Sequence, residues 1–283
     1  MRTSLFVVLL AACSSSHAGQ PGEGPDASEL PGDGGVDGGG DAGVADAGID
    51  AAVPPQITVM RGVDRASAFS LAEATTLANS HGVTWTGVYI GGPCSAGSGW
   101  TKSLLTSIAS QLGWVFMPIY VGQQTSSICG ADTLTAAQGK TDGEAADAKM
   151  ATYDWAASQN IPVCLDLEAG SYSANPSGSL AYAKAWLAAV RAGGYLGYLY
   201  SNPTAINALF DAGVKFDGAW PASWFYTGFA SVSPSDLDQL GTRYTSQNRA
   251  WQYAGSFAVS GAGDVDGDTS DLLLAPAPGG SNL

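Results

Sequence analysis

The sequence predicts an α/β fold, a (β/α)8 barrel of the TIM type that is irregular in its second half. Apolar runs of strand length alternate with segments of helical length along most of the chain. About 228 residues follow Pro55, a length that suits one barrel rather than two domains. Eight of the runs are candidate strands, and right-handed crossovers between them favour a closed parallel sheet covered by helices.

The predicted elements follow each other in a regular order. Strands are expected at 57–64, 84–91, 114–121, 162–167, 195–200, 219–226 and 250–253, with a closing segment at 264–274. Helices are expected at 70–81, 100–112, 142–160 and 178–192, and a short helix follows Asn202-Pro203 and ends at Phe210. Acidic residues at the start of the third helix suit its positive end. The later helices are short or missing, which is why the second half is predicted to be irregular.

The first residues predict export. Arg2 precedes an apolar stretch, and Leu10-Ala11-Ala12-Cys13 looks like a bacterial lipobox, the motif at which lipoprotein signal peptides are cut. The apolar stretch is too short to span a bilayer. We expect residues 1–12 to be removed and Cys13 to carry a lipid that anchors the protein at the cell envelope, in the periplasm or at the cell surface. An ordinary secretory signal cut nearby is the alternative.

Residues 13–55 have the composition of a tether. They are rich in Gly, Ala, Asp and Pro, contain no Lys or Arg, and have almost no large apolar side chain that could form a core. Their eight acids repel one another along a glycine-rich chain, which favours an extended and disordered segment. The folded domain is therefore predicted to span 56–283.

The charge of this domain limits its partners. From Gln56 onward 17 acidic residues stand against ten basic ones, a balance of −7, and no cluster of Lys or Arg occurs. These features exclude nucleic acid as a partner. The chain has neither a Gly-x-Gly-x-x-Gly fingerprint nor a phosphate-binding Gly-Lys-Ser/Thr loop, so no cofactor is expected. We expect a monomer.

The most informative segment is the apolar run 161–168, which ends in two carboxylates. Strand side chains alternate between faces, so Asp166 and Glu168 should point to the same side. Asp64 ends the first strand and should reach the same end of the barrel. Active sites of such barrels lie at the carboxyl ends of the strands, so the three acids are interpreted as catalytic. A role for Asp166 in orienting neighbouring polar groups only is the alternative.

The positions of cysteine and histidine limit the kinds of catalysis that are possible. Cys94 and Cys129 each follow a strand, in neighbouring loops, and an exported protein favours a disulfide between them. Cys164 lies within an apolar strand and is interpreted as a packed thiol. The only histidines are His17, in the tether, and His81, at a helix end, which excludes His-based triads and His-rich zinc sites. Carboxylates are left to perform acid and base chemistry.

Several motifs in a fixed order give the chain a family resemblance over roughly 59–274. They are Gly62-Val63-Asp64, Leu165-Asp166-Leu167-Glu168, Tyr198-Leu199-Tyr200-Ser201, Trp220-Pro221-Ala222-Ser223-Trp224, and Trp251-Gln252-Tyr253 followed by Val265-Asp266. In these the chain resembles the bacterial glycoside hydrolase-like domain, formerly a domain of unknown function. That family is similar to the glycoside hydrolase family 25 lysozymes, which cleave peptidoglycan on a (β/α) barrel.

The resemblance implies roles for individual residues. Glu168 would be the general acid, while Asp166 and Asp64 would stabilise positive charge or position an attacking group. The sugar groove would be lined by Tyr200, Trp224, Trp251, Gln252 and Asp266. The last strand offers Asp264, Asp266 and Asp268 as its acid, and Asp266 is chosen because it follows Val265.

The acids of 264–271 also invite a second interpretation, a calcium site, because hard oxygen ligands cluster there. The glycine is misplaced for an EF-hand loop, and a solvated turn with one inward acid is the alternative. No metal site is therefore included in the prediction.

Two functions of different classes remain open. The first is a hydrolase acting on peptidoglycan or a related envelope glycan, because cleavage of a glycosidic bond needs one protonated and one anionic carboxyl group. The second is a carbohydrate-binding or envelope-interaction module on the same barrel, since a fold does not fix a function.

Overall fold

Eight strands close into one barrel in the computed structural model, which describes residues 59–95, 97–124, 133–157, 160–245, 248–272 and 274–280. The strands lie around the barrel in sequence order, and the last pairs with the first. They are β1 (Met60–Asp64), β2 (Trp85–Gly91), β3 (Val115–Val121), β4 (Pro162–Asp166), β5 (Leu196–Ser201), β6 (Gly218–Tyr226), β7 (Ala250–Val259) and β8 (Gly263–Ser270). The predicted TIM-type barrel is confirmed.

Helices fill the first five connections between strands. They are α1 (Leu71–His81), α2 (Lys102–Leu112), α3 (Ala136–Thr152), α4 (Ala169–Ala174) and α5 (Pro176–Ala192) in one connection, and α6 (Pro203–Asp211). In the described part of the connection from β6 to β7, the helical segments are two short 3₁₀ turns, Pro234–Leu237 and Gly241–Arg243. The loss of helices in the second half agrees with the prediction, whereas α4 was missed because six residues are too few for a helical period.

The last strand runs against the rest of the sheet. Strands β1 to β7 are parallel to their neighbours, but β8 is antiparallel to both β7 and β1. The sequence predicted a wholly parallel sheet, and this detail is wrong for a geometric reason. Strand β7 continues to Val259, so three residues separate it from β8. A parallel crossover needs a dozen or more residues, whereas three residues allow only a hairpin.

Helix α3 begins and ends earlier than predicted. The Thr135 hydroxyl caps the helix by accepting a hydrogen bond from the Gln138 amide at 3.2 Å. Asp142, which was expected to open the helix, lies inside it and accepts a hydrogen bond from the Tyr182 hydroxyl. The helix ends before Asp154, whose φ of 56° is incompatible with a right-handed helix. The position of Asp142 is therefore explained by its hydrogen bond with Tyr182 and not by a helix terminus.

Two apolar layers hold the barrel. The outer layer lies between the strands and the helices and includes Val88, Phe116, Val163, Trp186 and Leu199. The inner layer fills the barrel itself and includes Trp85, Met117, Cys164, Tyr198 and Trp220. Because side chains alternate along each strand, one set of residues faces the helices and the other faces the barrel axis. The inner layer forms the floor on which the polar residues of the barrel mouth rest.

Some predictions concern residues outside those described. The signal 1–12, the tether 13–55, Cys13 and Cys129 all belong to this group. Cys94 is disulfide-bonded, and its pairing with Cys129 stays a prediction. Within the described ranges no helix is long and apolar enough to cross a membrane.

Helices α3 and α5 pack closely because α3 carries two glycines on the shared face. A Cβ atom at Gly139 would lie 2.2 Å from the Tyr182 carbonyl oxygen, and one at Gly143 would lie 2.7 Å from the Ala189 Cβ and 2.8 Å from the Trp186 carbonyl oxygen. Backbone atoms cannot move aside as the end of a flexible side chain can. The sequence of α3 therefore sets the distance between the two helices.

This packing gives a stability prediction. We expect Gly139→Ala to lower the free energy of unfolding by about 1–3 kcal/mol, because the new methyl group overpacks a backbone contact. Urea unfolding measures the change. The matched control is Gly170→Ala in α4, where no heavy atom lies within 4 Å of the new Cβ. Equal stabilities of the two variants would contradict the proposed tight contact.

Candidate active site

Carboxylates from distant parts of the sequence meet at the carboxyl end of the barrel strands. Asp64 is the last residue of β1, Asp166 is the last residue of β4, and Glu168 follows immediately before α4. The two aspartates are buried, whereas Glu168 is exposed at the rim. The charge of Asp64 acts on both Asp166 and Glu168. The structure thus brings the three predicted catalytic acids into one barrel mouth.

Asp64 is surrounded by hydrogen-bond donors. The Tyr89 hydroxyl donates to its Oδ1 at 2.7 Å, and the Gln252 side-chain amide donates to its Oδ2 at 2.9 Å. A third bond joins its carboxyl group to that of Asp268, which requires a proton between them. Burial is the largest influence and raises the pKa of Asp64 above its ordinary value, although these three hydrogen bonds oppose the shift. Among the acids of the mouth, Asp64 is therefore the one whose charged form is stabilised by three side-chain hydrogen bonds.

The last strand contributes two acids to the mouth. Asp266 lies opposite Asp64 in the antiparallel register, and Asp268 lies opposite Gly62. Burial, followed by the charge of Asp64, raises the pKa of Asp266 to about 8. Burial and the charges of Asp64 and Asp266 raise the pKa of Asp268 well above its ordinary value. Asp264 is exposed, so the choice of Asp266 as an inward acid agrees with the geometry, and Asp268 is a second one.

Asp166 and Glu168 both favour the protonated form. Burial raises the pKa of Asp166 well above its ordinary value, and the charges of Glu168 and Asp64 raise it further. Desolvation by the surrounding protein, together with the charge of Asp64, raises the pKa of Glu168 as well. Within the described residues the Asp166 Oδ1 atom is buried and has no hydrogen-bond partner. That oxygen is free to bind a group that enters the mouth.

Gln252 connects the acids with the aromatic wall. Its Oε1 atom accepts hydrogen bonds from the Tyr200 hydroxyl at 2.9 Å and from the Trp224 indole nitrogen at 2.8 Å. Its Nε2 atom donates to Asp64. The two acceptor bonds fix the orientation of the amide, because only the oxygen can receive both donors. Tyr200, Trp224 and Gln252 therefore lie together at the mouth, and their predicted role in lining a sugar groove stays a prediction.

Trp224 is held as a flat surface at the rim. One edge of its indole is fixed by the bond to Gln252, and one face lies over the backbone of Gly255, where a Cβ atom would come within 2.9 Å of the ring. The side chain is 59% exposed. A glycine opposite the ring therefore allows the indole to pack closely on one side and leaves the other accessible.

Trp251 does not reach the mouth, and its predicted role in lining the groove is corrected. It is only 3% exposed and packs with Leu237 and Tyr253 on the outer side of the barrel. Its indole nitrogen donates to the Ser223 carbonyl oxygen at 2.9 Å. Neighbouring strand residues point to opposite faces, so Gln252 and Trp251 cannot both face inward.

Sequence reasoning assigned no role in the site to Tyr89, Gln124 or Trp220, and it named Asp268 only as an alternative to Asp266. The alternation of Trp85, Gly87 and Tyr89 along the second strand was a readable signal, because it places the tyrosine on the inner face. Gln124 had no such signal, since its role depends on tertiary contacts. Its Nε2 atom donates to the Asp166 carbonyl oxygen at 3.1 Å, and its Oε1 atom accepts from the Glu168 amide at 3.0 Å.

The ion pairs of the described Lys and Arg side chains are made with acids outside the mouth. In the ranges described above, none of the ion pairs formed by Lys or Arg involves its five carboxylates. No group of three or more His, Cys, Asp or Glu among the described residues has the arrangement of a metal site. Cys164 is a free, buried thiol. Repulsion among the carboxylates of the mouth is therefore reduced when some of these groups stay protonated.

The comparison with protein families now identifies the class. Residues 75–271 match the Rv2525c-like, glycoside hydrolase-like domain, which is more than half of the chain. The chain belongs to this family, and the predicted resemblance is confirmed. No curated protein sequence matches it.

Solved structures with the same fold support this assignment. The Tat-secreted protein Rv2525c of Mycobacterium tuberculosis, in complex with L-tartrate, is 14% identical, with a TM-score of 0.52 over 79% of this chain and 100% of that one. The spore cortex lytic enzyme SleM of Clostridium perfringens is 13% identical, with a TM-score of 0.51 over 75% of this chain and 67% of that one. GHIP, a glycosyl hydrolase 25 of Streptococcus pneumoniae, is 14% identical, with a TM-score of 0.50 over 77% and 87%. At these identities the likeness shows the fold.

The raised pKa of Asp266 predicts a pH dependence of stability. Between its ordinary value of 3.8 and about 8, the folded protein keeps a proton that the unfolded chain has released. The free energy of unfolding therefore falls as the pH rises through this window. We expect Asp266→Asn to reduce the slope of the unfolding free energy against pH. The reduction is at most about 1.4 kcal/mol per pH unit, which is the limit for one proton. Urea unfolding between about pH 4 and 8 measures the slope.

Asp264→Asn is the matched control, since this exposed residue lies two positions earlier in the same strand. We expect this variant to keep the pH slope of the wild-type protein. A slope that Asp266→Asn leaves unchanged would show that its carboxyl group titrates like an exposed one.

Proposed function

We propose that the protein is a glycoside hydrolase that cleaves peptidoglycan or a related cell-envelope glycan. The observation that carries this proposal is the pairing of an exposed carboxyl group of raised pKa, Glu168, with a buried carboxylate, Asp64, that three donors stabilise. Glycosidic cleavage needs such a division of roles, a proton for the leaving oxygen and a negative charge near the sugar ring.

The proposed mechanism assigns each acid a separate task. Glu168 retains its proton near neutral pH and donates it to the glycosidic oxygen, because it alone of the three lies at the exposed rim. Asp64 remains ionised and stabilises the positive charge that develops on the sugar ring. Asp166 positions the attacking water by accepting a hydrogen bond from it at the unpartnered Oδ1 atom, and the proton that this water loses goes to Glu168, which has already given its own proton to the leaving oxygen. Crowding of like charges maintains the difference between the acid and the anion.

The remaining residues of the mouth would hold the sugar. Trp224 offers a flat apolar face with a fixed orientation, Tyr200 offers a hydroxyl group bound to the same glutamine, and Asp266 offers a carboxyl group near Asp64. The structural neighbours include a spore cortex lytic enzyme and the catalytic domain of the Listeria phage endolysin ply40. These relatives support an envelope glycan as the substrate class.

The role of Glu168 is tested by Glu168→Gln in the full-length protein. We expect the release of new reducing ends from purified peptidoglycan to fall by at least about 100-fold, because the amide cannot donate the acidic proton. Retention on the insoluble glycan should persist, since the shape of the mouth is kept. Wild-type activity should also fall as the pH rises through the raised pKa of this group.

Glu144→Gln provides the control, because Glu144 is an exposed carboxylate that pairs with Lys140 on α3. It should cleave like the wild-type protein. Equal activity of the two variants would remove Glu168 from the mechanism.

A non-catalytic carbohydrate-binding module is the second proposal, and the exposed indole of Trp224 favours it. In that case neither the wild-type protein nor Glu168→Gln would release reducing ends, and both would be retained equally on the glycan.

We further propose that the barrel domain, 56–283, is exported and held at the envelope by a lipid on Cys13 through the tether 13–55. The lipobox-like sequence before Cys13 supports this anchor, and the Tat-secreted relative from Mycobacterium tuberculosis supports export. A glycan-binding barrel on a long acidic tether would reach substrate at a distance from the membrane.

The anchor is tested by Cys13→Ala. We expect this variant to lose radiolabelled palmitate incorporation and to move from the detergent phase to the aqueous phase, because it has no thiol to carry the lipid. Cys164→Ala, which removes a buried thiol, is the control and should keep the label. A wild-type protein that incorporates no label would favour the ordinary secretory signal, and labelling that survives in Cys13→Ala would place the lipid on another residue.

A further inference from the structure

Three consecutive aromatic residues at the end of β6 are exposed: Trp224 by 59%, Phe225 by 71% and Tyr226 by 44%. They are the large hydrophobic side chains that stand out as exposed among the described residues. A contiguous patch of this kind marks an interaction site more often than a single exposed apolar side chain does. We call Phe225 and Tyr226 the aromatic ledge.

The ledge continues the wall of the barrel mouth. Trp224 binds Gln252, which in turn binds Asp64, so the first aromatic ring lies two hydrogen bonds from the catalytic acids. The rings of Phe225 and Tyr226 pack against Trp251 in β7, with centroids 5.9 Å and 6.1 Å from its ring. The aromatic surface therefore crosses the rim from the mouth to the outside.

A local irregularity makes this arrangement possible. The register between β6 and β7 shifts between Ala222 and Tyr226, which releases the intervening residues from strict alternation. Both ledge residues can then contact the same indole, although regular strand neighbours would face opposite sides. Trp251 is fixed from behind by two hydrogen bonds of 2.9 Å to Ser223. The ledge thus rests on a rigid support.

We propose that the aromatic ledge is an outer binding site for sugar units of the same glycan chain, beyond the units in the mouth. This proposal rests on the proposed function and deepens it, because it makes the extended polymer the preferred ligand. The flat apolar face of a pyranose ring stacks on an aromatic ring, while its hydroxyl groups remain in water. A polysaccharide leaving the mouth over Trp224 would meet Phe225 and Tyr226 next.

Two other occupants fit the ledge less well. The segment 216–242, which carries it, has no Lys or Arg, whereas surfaces that bind anionic membranes combine aromatic with basic residues. From their exposed fractions the three aromatic side chains offer about 350 Å², given the typical area of such residues. A stable interface with a second copy needs roughly 800 Å² on each partner.

The test compares a long and a short ligand with the double variant Phe225→Ala/Tyr226→Ala in the full-length protein. We expect retention on insoluble peptidoglycan to fall about tenfold and KM for this polymer to rise by a similar factor. Cleavage of a soluble tetrasaccharide fragment of peptidoglycan should be unchanged, because that ligand fills only the mouth. Unchanged retention on the polymer, or an equal loss on the fragment, would overturn the proposal.

Conservative variants separate stacking from general hydrophobicity. Phe225→Trp should keep the wild-type retention because it keeps a flat ring, whereas Phe225→Leu should lose part of it. Equal retention by both variants would contradict stacking. Melting temperatures of the two Phe225 variants should match the wild-type value, since the ring of Phe225 is largely exposed.

The binding role of the ledge can be tested even if the protein does not cleave glycan. Retention is then compared in the Glu168→Gln background, where the ledge substitutions should still weaken binding to the insoluble polymer. Failure of hydrolysis and failure of the ledge are therefore separate outcomes. Binding of the Cys13→Ala protein to phosphatidylglycerol vesicles, or dimerisation, that depends on the ledge residues would instead overturn the glycan assignment.

Discussion

The negative charge of Asp64 is the constraint on which the rest of the site depends. It lies at the end of the first strand, buried, and receives hydrogen bonds from Tyr89, Gln252 and Asp268. Its charge raises the pKa of the other four carboxyl groups of the mouth. One buried anion that is held by hydrogen bonds, among carboxyl groups of raised pKa, is a charge pattern suited to acid catalysis on a sugar.

Gln252 links this charge to the surface that would hold a glycan. The same amide binds Asp64, Tyr200 and Trp224, so the rim indole lies two hydrogen bonds from the acid. Gly255 beneath the indole limits that movement by allowing close packing. Binding and chemistry therefore share one rigid frame, and the aromatic ledge extends this frame beyond the rim.

The fold was largely predictable because its signals are local. Apolar runs such as 114–121 and 162–167 give strands directly, and their alternation with helices gives a closed barrel. The antiparallel last strand and the start of α3 were not predictable in the same way. The first depended on how far β7 continues towards Gly263, and the second on Thr135, a cap whose signal was outweighed by the acid Asp142.

The sequence by itself determined the catalytic candidates Asp64, Asp166 and Glu168, because carboxylates at strand ends must lie at one face of a barrel. Only the tertiary structure decided their electrostatic roles and their neighbours. Asp268 hydrogen-bonds Asp64 across the antiparallel pairing of β8 with β1, and Trp251 turns outward because Gln252 turns inward. Burial, hydrogen bonding and charge proximity are properties of residues brought together from distant positions, and no local pattern encodes them.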